Sequence, residues 1–407
     1  MSQTPRPPIY MDHHATTPVL PEVVRAMLPY LSDQFGNPSS SAHWYGRAAS
    51  EAVEEARTCV AHMVNAEYIS EIIFTAGATE SDNLALRGLA LAPGRRGDHI
   101  LTCAIEHEAV LETCNDLERA GYRVTILPVD EHGLVDPDDV RRSIRDSTFV
   151  VSIMMANNEI GTIQPLEAIG RICRQQGVLL HTDAVQAAGR IPVDVRRLGV
   201  DLMSLTAHKM YGPKGVGALY VRRGITLAPM MAGGGQEGGL RSGTLNVPGI
   251  AGFGRACLAA VRDMADEAAR QAALRDRLWK RLSSRVARIT LNGHPSQRLP
   301  NNLNVSFDGV EAEATLTAMR DVAALSSGSA CASGSEEGSY VVRALSGGAS
   351  GRQRARSSIR FGLGRSNDES QVDEVAERIA KSVERLRAMA PRRSRVAGPA
   401  RSRTDVL

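Results

Sequence analysis

Short runs of uninterrupted apolar residues recur through the first half of this chain, separated by stretches with a helical repeat. The runs are Glu71–Thr75, His99–Thr102, Arg123–Leu127, Phe149–Met154, Val178–Thr182, Val200–Leu205 and Ala218–Val221. A strand with one wet face alternates apolar and polar residues, whereas a strand covered on both faces reads as a continuous apolar run. Between the runs lie helical patterns such as Ala48–Val64, with Val53, Val60 and Val64 at helical spacing. Strands alternating with helices predict an α/β fold with a mainly parallel central sheet.

The pattern changes after about residue 256. One long helix is expected over Arg255–Arg285, short strands at Leu303–Phe307 and Ser358–Phe361, and a last helix from Asp368. Val372, Val375, Ile379, Val383 and Leu386 form the apolar stripe of that helix. The expected division is a large domain over residues 15–256, a smaller α+β domain from 1–14 and 257–390, and a basic tail over 391–407. Two domains suit a chain of 407 residues. The Gly-, Ser- and Arg-rich residues 347–356 have the composition of a loop.

Charge and cysteine usage narrow the functional classes. A net charge of +3 provides no broad field for a polyanion, so direct nucleic-acid binding is not expected. The basic excess gathers at Arg392, Arg393, Arg395, Arg401 and Arg403, which reads as a solvated end or a dock for an acidic partner. No run of eighteen apolar residues predicts a membrane helix, and the first residues lack the apolar core of a signal peptide. The six cysteines are scattered without a C-x-x-C pair, so neither a metal site nor a disulfide framework is expected. A reduced, cytoplasmic protein is the expectation.

Several polar residues sit where chemistry is possible. Lys209 follows an apolar run and is hemmed in by His208 and a Tyr-Gly-Pro-Lys-Gly turn. A desolvated lysine, or one close to other cations, becomes a nucleophile that forms Schiff bases with carbonyl cofactors. A loop lysine on the surface is the plainer alternative. In TAGATESDN (75–83) a strand ends and a helix opens, presenting free N–H groups and a positive dipole end to an anion. Thr79 there either binds a phosphate or caps the helix, with Asp82 completing a capping-box-like pattern.

Asp183 and Gln186 follow another strand end, in the crevice where open α/β sheets bind ligands; Asp183 is equally suited to an N-cap. Asn157 lies in the turn NNEIG (157–161), an ordinary place for asparagine. His107 either starts a surface helix or stacks over a flat ligand and exchanges protons near neutral pH. Cys331 lies in SSGSAC (326–331), among small residues unlike the apolar settings of the other cysteines, as a thiol that must travel would. Gly233–Gly238 matches G-x-G-x-x-G, but no strand precedes it and no helix follows, so a dinucleotide site is not expected.

Taken together, MDHHATTPV (11–19), FGNPSS (35–40), GATESDN (77–83), EHEAVL (106–111), NNEIG (157–161), DAVQ (183–186), AHKMYGPKG (207–215), RSGT (241–244), SSGSAC (326–331) and SSIRFGLGR (357–365) resemble the NifS/IscS-type cysteine desulfurases. These are pyridoxal-phosphate enzymes of the class V aminotransferase family, and the resemblance spans Ile9 to about Met389. It implies a fold-type I homodimer with shared active sites. It implies Lys209 as the Schiff-base lysine, with Ala78 at the cofactor, Thr79, Thr206 and His208 at its phosphate and Thr244 reaching the neighbouring subunit's phosphate. Asp183 would keep the ring nitrogen protonated, Gln186 would bind the ring hydroxyl, and His107 would stack on the ring and help deprotonate the thiol. Asn157 would lie at the cofactor and, with Arg360, hold the substrate carboxylate, a group that a guanidinium fork matches.

The implied reaction takes sulfur from L-cysteine, gives alanine, and leaves a persulfide on Cys331 for a protein acceptor. Iron–sulfur assembly, tRNA thiolation, DNA phosphorothioation and natural-product sulfur carriers all remain open as destinations. Thr206 stands where the family usually has serine, and both 347–356 and the basic tail depart from the family pattern. A related class V aminotransferase, a selenocysteine lyase and a non-catalytic scaffold are the alternatives.

Overall fold

The computed structural model describes residues 7–94, 97–328 and 338–389. Its main sheet has seven strands in the order Ile72–Thr75, Gly217–Val221, Leu202–Thr206, Leu179–Asp183, Thr148–Ser152, His99–Cys103 and Arg123–Leu127. Gly217–Val221 runs opposite to the other six strands of this sheet. All seven expected strands are present, with ends shifted by at most two residues. Gly217 admits the close approach of two chains: a Cβ there would lie 2.6 Å from the Leu205 carbonyl oxygen and 2.8 Å from Gly77 Cα.

The continuous apolar runs have the expected cause. Leu101, Val151, Met203 and Ala218 enter one core with the helices Trp44–Val64, Leu166–Gln176 and the start of Val247–Arg285. Their neighbours in sequence, Ile100, Val150, Leu202 and Leu219, enter a second core with Ala78–Ala90 and Glu108–Arg119. Successive strand residues point to opposite faces, so a sheet covered on both needs apolar residues on both.

A third core forms around the antiparallel sheet Ser358–Gly362, Asn302–Phe307, Ile289–Asn292. Leu274, Leu278 and Leu282 of the long helix fill it, together with Val372, Val375, Ile379 and Val383 of Glu369–Met389. The long helix begins at Val247, earlier than the apolar pattern indicates, because the Asn246 side chain accepts from Gly249 N–H and Pro248 suits the first turn. Its early residues Phe253 and Cys257 pack in the first core and its later leucines in the third. The N-terminal segment pairs Ile9–Tyr10 with Ala323–Ala324, then bridges Asp12 to Gly362. It thus carries residues 12–16 to the carboxyl ends of the main strands.

Residues 347–356 are not a loop: Gly348–Arg356 is a nine-residue helix. Arg354 ties it down, donating to Asn292 Oδ1 at 2.6 Å, Leu291 O at 3.0 Å and Ser346 Oγ at 3.0 Å. Tertiary contacts override the weak local preference of Gly and Ser. Among the described residues no helix is long and apolar enough to cross a membrane.

Candidate active site

The carboxyl ends of the parallel strands open into a cavity of about 840 Å³. Each strand end delivers a polar residue to it: Thr206, His208 and Lys209 after Leu202–Thr206, Asp183 and Gln186 after Leu179–Asp183, and His107 beyond His99–Cys103. Ala78 and Thr79 line the side where Ala78–Ala90 begins. Arg360 enters from the small sheet. Open α/β sheets bind ligands at this edge because the loops there splay apart.

Lys209 Nζ donates to the carbonyls of His14 and Ala15, the latter at 2.8 Å. The N-terminal segment therefore orients the amine. Thr16 Oγ1 lies 3.1 Å from His208 Nδ1 and lines the same cavity. His107 caps Glu108–Arg119, its Nδ1 accepting from Ala109 N–H at 3.1 Å. That commitment leaves Nε2 as the ring atom free for chemistry. Arg360 is almost wholly buried, giving Nη2 to Asp12 Oδ1 at 2.8 Å and Nη1 to Asn158 O at 2.9 Å.

The structure departs from three expectations drawn from the sequence. Asn157 is not at the cavity: its Nδ2 donates to Ile105 O at 2.8 Å and its Oδ1 accepts the N–H groups of Glu159 and Ile160 at 2.9 and 3.0 Å. Asn158 lines the cavity instead, with a buried Oδ1 that has no hydrogen-bond partner among the described residues. Two adjacent asparagines in a turn look alike in sequence, and only the fold of the turn tells which faces inward. Thr79 is not the helix cap, since Gly77 occupies that position and no side chain among the described residues caps the helix. Nor does Asp82 complete a capping box; it is buried, and Glu80 reaches back to Ala76 N–H at 2.8 Å.

Thr244 is exposed and does not line this cavity. Cys331 lies outside the described residues. The chain on either side of it is anchored beside the site: Arg360 N–H donates to Ser326 O at 2.7 Å, and Ser339 Oγ donates to Glu159 Oε2 at 2.5 Å. The sequence alone assigns no role to His14, Ala15, Thr16 or Asn158. MDHHATT marked the first three as a motif, but nothing local connects them to Lys209.

Residues 9–375 match the family described as Aminotransferase class-V. The Cysteine desulfurase IscS of Anaeromyxobacter sp. (strain Fw109-5) is 54% identical over 386 residues, 94% of each chain. A solved structure titled as a NifS-like protein superposes with a TM-score of 0.86 at 37% identity, covering 93% of this chain and all of that one. A structure titled as SspA in complex with cysteine has a TM-score of 0.76 at 37% identity, covering 87% of this chain and 98% of its own. The chain belongs to the cysteine desulfurases of the class-V aminotransferase family.

Burial dominates the electrostatics of this desulfurase's cavity. It raises the Asp183 carboxyl, while His107 and Lys209 pull the other way. His208 is lowered to about 4, by burial first and then by Lys209 and Lys214. Beneath Asp183, His181 sits between Ser152 Oγ at 2.8 Å and Ser204 Oγ at 3.0 Å, and burial lowers it to about 3. His13 is lowered to about 3 by burial and by Arg190.

These neutral histidines make the desulfurase fold sensitive to acid. An unfolded imidazole takes its proton near about 6.5. The unfolded state therefore binds more protons as pH falls from there toward the folded values, and stability is lost across that window. Glu106 acts oppositely: burial raises it to about 8, so its contribution is present in acid and lost as pH climbs from about 4.5 to that value.

His13 isolates the acid effect. Neither ring nitrogen has a hydrogen-bond partner among the described residues, and the ring packs edge-on to Tyr10 with centroids 4.8 Å apart. A His13→Leu variant is expected to gain on the order of a few kcal/mol over wild type at about pH 4.5, beyond any difference at about pH 7.5. Thermal melts at the two pH values test this. Equal differences at both would show that His13 titrates normally.

Proposed function

We propose that this chain uses pyridoxal 5'-phosphate to remove sulfur from L-cysteine, yielding alanine and a persulfide on Cys331. The observation that carries the reading is one cavity holding a lysine amine, a buried carboxylate and an uncapped helix N-terminus. The donor set fits a phosphorylated pyridine aldehyde. The first N–H groups of Ala78–Ala90, with Thr79, Thr206 and His208, suit the phosphate. Asp183 suits a protonated ring nitrogen, Gln186 the ring oxygen, and His107 the ring face. When bound, the cofactor serves as an electron sink for the substrate's Cα.

The remaining chemistry belongs to the protein. Lys209 Nζ is the group placed to take and return a proton, and the backbone carbonyls of His14 and Ala15 hold it in reach. Arg360 and Asn158 are suited to the substrate carboxylate, with Asn158 replacing the expected Asn157. The persulfide site is supported by the other thiols. Burial raises Cys103 and Cys257 well above the usual range and pushes Cys114 and Cys173 to about 12. Cys59 is half-buried and raised as well, so none of these five is poised as a thiolate.

The relative solved with cysteine supports cysteine as substrate. Exposed Leu28, Leu31, Phe35, Trp44 and Tyr45 form apolar surface near the FGNPSS motif, which supports a homodimer in which Thr244 serves the partner's cavity. The experiment is to load the protein with pyridoxal phosphate, supply L-cysteine and a thiol reductant, and quantify both products. Alanine and sulfide in equal amounts, with one extra sulfur atom on the Cys331 peptide before reduction, is the expected result. Alanine without sulfide, or pyruvate instead of alanine, would overturn it.

A further inference from the structure

Gln186 reaches the cavity at the end of a line of buried polar side chains. Arg298 Nη2 donates to Asn302 Oδ1 at 3.0 Å, and Asn302 Nδ2 lies 3.2 Å from His14 Nε2. His14 Nδ1 lies 2.8 Å from Gln186 Oε1, and Gln186 Nε2 donates to the His14 carbonyl at 3.1 Å. Relative exposures are 5% for Arg298, 0% for Asn302, 1% for His14 and 8% for Gln186, so bulk solvent has little access to the line. The seat is tight: a Cβ on Gly161 would come within 2.6 Å of Asn302 Oδ1.

The direction of every bond in this line is determined by groups that cannot reverse. A guanidinium only donates, so the oxygen of the Asn302 amide must face Arg298. The Glu159 carbonyl only accepts, and it takes Asn302 Nδ2 at 3.1 Å, so the amide nitrogen faces Glu159 and His14. His14 Nε2 therefore accepts and carries no proton. At the far end the His14 carbonyl only accepts, which turns Gln186 Nε2 toward it and Oε1 toward His14 Nδ1. Nδ1 must then carry the proton. Both ends demand the same neutral tautomer.

We propose that His14 is a positioning residue that makes Gln186 a hydrogen-bond donor toward the cavity. The Gln186 oxygen is occupied by His14, and one of its two N–H groups goes to the His14 carbonyl. The second N–H is what it offers, and it selects an electron-rich oxygen. The His14 carbonyl also accepts from Lys209, so one residue orients both the amine and the amide. Burial and the charge of Arg360 keep the His14 ring neutral, in keeping with this role. That the oxygen belongs to the cofactor ring rests on the reading above; the relay is a property of the protein alone.

The test begins with cofactor-free protein carrying nitrogen-15 histidine, the His14 signals being assigned by their loss in His14→Gln. A neutral ring protonated at Nδ1 from about pH 5 to 8 is expected, although a free imidazole titrates in that range. Protonation at Nε2, or an imidazolium, overturns the proposal. Asn302→Asp keeps the shape and the Arg298 contact but presents only acceptors to His14. It should put a proton on Nε2, and an unchanged Nδ1–H tautomer in that folded variant overturns the relay. If that variant does not fold, the wild-type tautomer alone decides.

In pyridoxal-phosphate-loaded protein, His14→Gln and Gln186→Ala should each raise the pH midpoint of the visible absorbance, by roughly one unit for the loss of a charge-assisted bond. The double variant should shift no further than Gln186→Ala. Additive shifts would show that His14 acts independently of Gln186. Failure to bind the cofactor would overturn the cofactor reading and leave the tautomer result standing.

Discussion

Replacing Lys209 with alanine is expected to lower L-cysteine turnover by roughly 10⁴-fold or more, since the proposed nucleophile and proton carrier would be lost together. The amine occupies a site built from three separate parts of the chain. The strand Leu202–Thr206 delivers it, the carbonyls of His14 and Ala15 hold it, and Arg190 Nη2 donates to its own carbonyl at 3.1 Å. Tyr211, two residues on, adopts the left-handed conformation at φ 65°, and the guanidinium groups of Arg190 and Arg365 lie over its ring. That conformation costs of order 1–3 kcal/mol and persists because its surroundings over-determine it. Lys214 also lines the cavity but is exposed, so it lacks the desolvation that activates an amine. Alanine formation and retention of cofactor absorbance through dialysis are the measurements. A variant keeping a tenth of wild-type turnover would exclude Lys209 from the chemistry.

Replacing Cys331 with alanine is expected to abolish persulfide formation and reduce sulfide release by roughly 10²-fold or more, on the scale seen for loss of a nucleophile. Cofactor binding should be unaffected, because no residue assigned to the cofactor depends on this thiol. This variant separates the desulfurase from its nearest chemical alternative. An aminotransferase on the same fold would not need Cys331, so full sulfur release from the variant would sink the assignment. The described cysteines offer no substitute, being half-buried or buried with thiols raised by desolvation. Mass analysis of the Cys331 peptide and sulfide quantification together decide the matter.

Much of the cavity was legible because its residues follow their own strands. Asp183, Thr206 and Lys209 stand at or just past the ends of apolar runs, and a parallel sheet sends such positions to one edge. The readings that failed involve choices between neighbours or long-range ties. Asn157 and Asn158 differ only in which one the turn points inward. Residues 347–356 have loop composition, and they become a helix through contacts between Arg354 and a strand some sixty positions away. Asp82 matched a capping pattern, yet the helix starts at Ala78 and buries it.

The amino-acid sequence by itself determined the α/β class, the strands of the main sheet, the family and the Lys209 site. Those depend on periodicity and on residues adjacent along the chain, where burial on both faces or one face of a helix leaves a direct imprint. Only the tertiary structure decided that His14 meets Gln186 and Asn302, that Asn158 rather than Asn157 faces the cavity, and that the N-terminal carbonyls orient Lys209. The physical reason is that a buried polar group must find a partner, but its residue type does not say which one. That choice is made by packing between segments far apart in sequence.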